Sequence, residues 1–232
     1  MRRRYLANGD RMLLVEFPEE ISKEINLQVH ELASVLATKN VPGVIEWIPS
    51  YRTLGIVYDP LQASFQQLID FLDQIEELGG HIQASRSRRI EIPVAYGGEM
   101  GPDLDFVAQH NQLSTEEVIR LHTANEYLVY LVGFTPGFPY LGGMATRIAT
   151  PRLAEPRPRV PAGSVAIGGN QTGVYPIESP GGWRIIGGTP LKLFDLDRES
   201  PFLLKAGDSV RFSSITLEEC QSFDPLTRFA RS

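Results

Sequence analysis

A chain of 232 residues exceeds the roughly 100–200 residues of one usual domain, and 42% hydrophobic with 22% charged residues is the composition of a folded globular protein, which sets disorder aside. The formal net charge is −6, and the basic residues are scattered outside 2–4 and 86–89, so no long stripe exists to neutralise a phosphate backbone and nucleic-acid binding is not expected. Cys220 is the one cysteine, which excludes an intramolecular disulfide or Cys-x-x-Cys site and fits a reducing cytoplasm. Residues 7–11 interrupt any apolar signal core, and no run reaches the ~20 apolar residues of a membrane span.

Residues 12–17 form a short apolar run, and Ile21, Ile25, Val29, Leu32, Val35 and Leu36 follow at helical spacing, which predicts a strand and then a helix. Pro42 and Gly43 precede a run at 44–48, and a second run at 53–58 follows Pro49 and Ser50. Both are rich in β-branched and aromatic residues and predict a hairpin. Phe65, Leu68, Ile69, Leu72 and Ile75 mark one face of a second helix, ended by Gly79 and Gly80, and 89–94 resumes a strand. The order is that of a split βαβ, or ferredoxin-like, unit. The polar run 86–89 reads as a linker, so the strand at 89–94 either closes this unit or opens the next; the domains are set at 1–86 and 87–232.

Ser114-Thr115-Glu116-Glu117 matches a capping box and opens a short helix to about His122, with a buried-type strand at 128–134 after it. Beyond, glycines and prolines recur between short apolar runs at 165–167, 183–186, 191–194 and 209–212, the pattern of a β-barrel or sandwich.

Two stretches carry candidate chemistry. In residues 133–143, rigid prolines and permissive glycines alternate with Phe134, Phe138 and Tyr140, which can hold ring faces around a small ligand; a packed barrel loop explains the composition equally well. The proline-stiffened tract 151–161 presents Arg152, Arg157 and Arg159, guanidinium groups suited to bidentate capture of a carboxylate, although each such arginine is more often simply solvated. Neither the glycines at 168, 169 and 173 nor Gly181-Gly182 lead into a helix, and Gly-Lys-Ser/Thr and the dinucleotide fingerprint are absent, so this chain alone is not expected to bind ATP or NAD. His122 falls at a helix end, where the dipole favours an imidazolium; its functional alternative is a general acid or base. His30-Glu31 lacks the second histidine of a zincin helix and no Gly-x-Ser-x-Gly elbow exists, so neither a metal site nor a serine hydrolase is expected.

Four stretches together resemble one family, the KipI-like proteins, also called allophanate hydrolase subunit 1 or the 5-oxoprolinase B subunit: GFTPGFPYLGGM from Gly133, TPRLAEPR from Thr150, VPAGSVAIGGNQTGVYP from Val160 and SPGGWRIIGGTPLKLFD from Ser179. A stretch at 92–104 extends the similarity across most of the chain. The resemblance implies an α+β protein, a ferredoxin-like N-terminal domain followed by a cyclophilin-like β-barrel, without implying prolyl isomerase activity. It also implies a cytoplasmic component of an ATP-dependent 5-oxoprolinase that converts 5-oxo-L-proline to L-glutamate. Its partners would be a KipA-like, biotin-dependent carboxyltransferase-like subunit and a lactam-utilisation subunit. ATP would be used by the assembled complex, and this chain alone would be inactive and hold no cofactor. Within a composite site, Arg157 or Arg152 would bind the substrate carboxylate, Gln171 and Thr172 the ring amide, Phe134, Phe138 and Tyr140 the ring faces, and His122 would transfer a proton. His122 and Arg157 fall in matching stretches, while Arg159 departs from the family pattern. The same resemblance permits two other functions: inhibition of a sensor histidine kinase, and a part in allophanate or urea degradation.

Overall fold

The structure is a computed structural model that describes residues 3–18, 22–39, 41–77 and 88–223, the side chains of 76 and 77 excepted. The chain divides into two compact units, Met1–Ser87 and Arg88–Ser232. Ile21, the glycine stop at 79 and 80, and the polar positions 86 and 87 lie outside the described residues. No described helix is long and apolar enough to cross a membrane.

In the first unit, β1 (Arg4–Ala7) and β2 (Met12–Glu16) pair antiparallel and lead to α1 (Lys23–Thr38). The Ser22 hydroxyl starts that helix by accepting the Ile25 N–H, and Ile25, Val29, Leu32 and Leu36 form its buried face. The expected hairpin follows as β3 (Val44–Pro49) and β4 (Thr53–Tyr58), and then α2 (Phe65–Glu77). The sheet order is β1-β2-β4-β3. Alternation sends Leu13, Val15, Leu54, Ile56 and Tyr58 into one cluster with α1 and with Leu68 and Leu72 of α2. Each of the aliphatic side chains among them contributes about 1.5–3 kcal/mol by leaving water.

The strand expected at 89–94 does not join this sheet. It runs as β5 (Arg89–Tyr96) in the second unit, and the edge beside β2 is taken instead by β1. Pro93, Val94 and Ala95 are all buried, as suits a strand covered on both faces rather than a half-exposed edge.

After β5 come α3 (Leu104–His110) and α4 (Thr115–Ala124), the latter opened by the capping box expected at Ser114 and Glu117. Then follow β6 (Glu126–Val132), β7 (Pro139–Gly142), β8 (Arg157–Val160), β9 (Ser164–Gly168), β10 (Gln171–Val174), β11 (Ser179–Gly181), β12 (Arg184–Gly188), β13 (Ser209–Ile215) and α5 (Leu217–Gln221). Seven of these strands close a barrel in the order β10-β7-β6-β13-β5-β12-β9, while β8 and β11 form a separate two-stranded ribbon. The β5–β13 pair is parallel. The run 191–194 is not a strand: Leu191 and Leu193 bury into the barrel cluster from a loop, and Phe194 makes a single bridge to Phe202. Pro190 and Pro201 flank that pairing, and proline cannot donate to a ladder.

Candidate functional site

Strand parity builds the site. Along β9, Val165 and Ile167 enter the barrel cluster while Ala166 points outward; along β12, Ile186 goes in and Ile185 out. The outward residues join Phe138, Val160, Tyr175 and Trp183 in a second cluster on the outer barrel wall, with Tyr140 packed against it. Phe138 is its hub, meeting Tyr140, Tyr175 and Trp183 edge-to-face at centroid distances of 5.1, 5.2 and 5.5 Å. Two glycines admit these rings: a Cβ on Gly168 would lie 2.5 Å from the Trp183 ring, and one on Gly181 would collide with the Tyr175 hydroxyl.

Above this cluster opens a pocket of about 320 Å³, walled by Phe134, Phe138, Tyr140, Arg152, Tyr175 and Trp183, with Pro156 and Gly181 from the ribbon end. Four of the residues expected around a ligand therefore come together. Tyr175 and Trp183 complete the wall without having been expected as ligand groups, although both sit in the family-matching stretches. The Arg152 guanidinium lies 5.6 Å from the centre of the Trp183 ring and makes no ion pair among the described residues. Burial pushes the Tyr175 phenol up, while the Trp183 backbone N–H and the charge of Arg152 pull it the other way. Phe134 is 66% exposed and has a left-handed backbone, φ +68°, at the tip of the β6–β7 loop, with its ring edge-to-face on Phe138 at 5.6 Å. Among the described residues, the lining contains no carboxylate, histidine, cysteine or lysine. Among the described residues, no group of three or more His, Cys, Asp or Glu is placed to hold a metal.

Arg157 does not line the pocket. Its Nη1 and Nη2 donate to Oδ2 and Oδ1 of Asp103, both at 2.8 Å, so the fork expected to hold a substrate carboxylate already holds one from the protein. That partnership raises its pKa further.

His122, Thr172 and Gln171 are not part of the pocket. The alternation that turns Ala166 outward turns its neighbours inward, and Thr172, paired with Ile167 and Leu141, faces the barrel interior with them. His122 reaches the same interior from the end of α4, stacked on Phe212 at 4.4 Å and fully buried. Thr172 donates its hydroxyl hydrogen to the Ala166 carbonyl at 3.0 Å, so at its 2.9 Å contact with His122 it accepts from Nε2–H. Nδ1 then accepts from the Tyr96 hydroxyl at 2.7 Å. Both ring nitrogens are thus engaged in a neutral tautomer, and burial depresses the imidazole pKa to about 3. The barrel wall separates this histidine from the pocket, so the structure does not bring it together with the aromatic and arginine candidates. Gln171, half-buried at the start of β10, does not line the pocket.

Fold and site together define an α+β protein built on a closed barrel, which the cyclophilin-like description fits, with an aromatic pocket on the outside of the wall. The family described as carboxyltransferase domain, subdomain C and D, matches residues 3–204, and the chain belongs to that family. It is 46% identical over 226 residues to the 5-oxoprolinase B subunit of Bacillus subtilis (strain 168), covering 93% of this chain and 94% of the relative. With the 5-oxoprolinase B subunit of Escherichia coli O157:H7 the identity is 44% over 206 residues, covering 88% and 92%. Among solved structures, that of TTHA0988 superposes with a TM-score of 0.78 at 41% identity, covering 88% of this chain but only 40% of its own.

Proposed function

We propose that the chain is the B subunit of a 5-oxoprolinase, which contributes a binding wall for 5-oxo-L-proline to a site completed by partner subunits. The single observation that carries this reading is the pocket itself: aromatic faces beside one guanidinium that has no carboxylate partner among the described residues, with room for a small lactam ring that bears a carboxylate. The rings cover the faces of the lactam and Arg152 pairs with its carboxylate. Apart from the Tyr140 and Tyr175 phenols, the described lining offers no general acid, general base or nucleophile, so in this reading the pocket binds the lactam and other subunits complete the chemistry. The ATP-dependent step then belongs to the partners, a carboxyltransferase-like subunit and a lactam-utilisation subunit, in a cytoplasmic complex. The B-subunit designation of relatives at 44% and 46% identity supports a multi-subunit assembly. In this reading the first unit is a ferredoxin-like variant in which β1 replaces the usual fourth strand.

Arg152→Ala in the reconstituted complex tests the assignment. Loss of a charge-assisted contact of about 1.5–3 kcal/mol should raise the KM for 5-oxoproline roughly ten- to a hundred-fold, with Arg152→Lys intermediate. An unchanged KM in a complex that still assembles by size-exclusion chromatography would refute the carboxylate role.

A further inference from the structure

The pocket's outer wall is a ribbon that leaves the barrel, so something must fix its distance from Trp183. Arg157 opens β8 directly across from Gly181 of β11, and its neighbour Pro156 and that same Gly181 both line the pocket. Its bidentate partner Asp103 is almost completely buried at the entry to α3. The Asp103 backbone N–H donates to the Ile185 carbonyl at 2.8 Å, while its Oδ2 accepts the Ile185 N–H at 2.7 Å. One aspartate therefore closes both hydrogen bonds of a β12 residue just beyond Gly187 and Gly188, where the ladder with β5 stops. Ile185 packs in the outer cluster with Trp183. Other ties act differently: Arg159 pairs with Glu178, across the ribbon and exposed, and the Leu153 N–H reaches the Gly182 carbonyl at 2.7 Å. Among the described residues, Arg157–Asp103 is the ion pair that joins ribbon to barrel.

We propose that Asp103 and Arg157 form a latch that sets the width of the aromatic pocket, so that Arg157 is a positioning residue for the ligand rather than a contact to it. This rests on the pocket being the ligand site, as proposed above. Opening the latch frees β8, with Pro156 just ahead of it, and the Gly181 paired with Arg157, while the barrel stays closed. The pocket then widens, Trp183 becomes accessible, and ligand binding weakens without a change in the chemical step.

The test uses the full-length chain with Trp47→Phe, which leaves Trp183 as the one tryptophan. Asp103→Asn keeps an oxygen for the Ile185 N–H and removes the charge; Arg157→Ala removes the fork, and Arg157→Lys keeps the charge without it. Each single variant should increase acrylamide quenching of Trp183, with Arg157→Lys between wild type and Arg157→Ala. The double variant should go no further than Arg157→Ala, because both changes break the same contact. In the complex with its partner subunits, KM for 5-oxoproline should rise roughly tenfold while kcat stays near wild type. Additive effects in the double variant, or a lowered unfolding midpoint with Trp183 quenching and KM unchanged, would overturn the latch and leave an ordinary structural ion pair. If quenching changes as expected but even the wild-type complex does not turn over 5-oxoproline, the latch stands and the assignment of the ligand fails.

Discussion

Two arginines of the same tract sit in different surroundings: Arg152 lines the pocket, and Arg157 is paired with Asp103. Nothing in the sequence distinguishes Arg152 from Arg157, because the deciding partner, Asp103, lies 54 positions away on a loop ahead of α3. His122 is similarly ambiguous in sequence: its place at a helix end is legible, but whether it faces a pocket or the barrel interior depends on the parity of β10. Its burial has a consequence for stability. The folded imidazole stays neutral down to about pH 3, surrounded by Tyr96, Tyr127, Thr172 and Phe212, whereas the unfolded one titrates at its ordinary 6.5. Below pH 6.5 the unfolded chain binds a proton that the folded chain refuses, so the contribution is complete above 6.5 and is lost as pH falls toward 3. The slope is about 1.4 kcal/mol per pH unit. Between pH 7 and 5 the unfolding free energy of the wild type in urea should fall relative to that of His122→Gln, approaching this slope below 6.5; parallel curves would contradict it. Phe134 carries a third residue-level expectation. A non-glycine residue in the left-handed region costs roughly 1–2 kcal/mol, so Phe134→Gly should unfold at an equal or higher temperature while raising the KM for 5-oxoproline. A lower midpoint with unchanged KM would make the ring a packing element instead.

At the level of elements, helices are the most legible. The apolar face of α1, that of α2 and the capping box of α4 each follow from local spacing, and local spacing is what a helix responds to. The hairpin of β3 and β4 is legible for the same reason, with its turn residues beside two β-branched runs. Short strands are not. β7, β8, β10 and β11 have three or four residues each, too few to display an alternation, and 191–194 has a strand's composition with prolines that prevent a ladder. The glycines of β9 and β11 are visible as composition, but their reason is the aromatic ring seated on each. Gly168→Ala should therefore displace Trp183, cost about 1–3 kcal/mol by overpacking, and lose the near-UV circular dichroism of the aromatic cluster. A spectrum and midpoint identical to wild type would mean that the Trp183 seat is more accommodating than the geometry requires.

Across the whole molecule, the order of elements leaves one strand with two possible owners, and long-range pairing decides it. β5 runs parallel to β13, more than a hundred residues further along the chain, in register from Arg89 with Ser209 to Ala95 with Ile215. Such pairing leaves no local signature, so a split βαβ order is a fair reading of the first unit until β1 is seen occupying the edge. The family-matching stretches mark most of the pocket, because Phe134, Phe138, Tyr140, Arg152, Tyr175 and Trp183 all lie in them. They do not mark the latch residue Asp103 as an actor, since it looks like any loop aspartate until the three hydrogen bonds to its carboxylate are seen. The central claim is that this chain supplies binding and its partners supply chemistry. Co-expression with the proposed carboxyltransferase-like and lactam-utilisation subunits, followed by measurement of ATP-dependent glutamate release from 5-oxoproline with each component omitted in turn, tests it directly. The expected result is release only from the complete set, with none from this chain alone. Sustained turnover by the isolated chain, or an undiminished rate when it is left out, would contradict the claim.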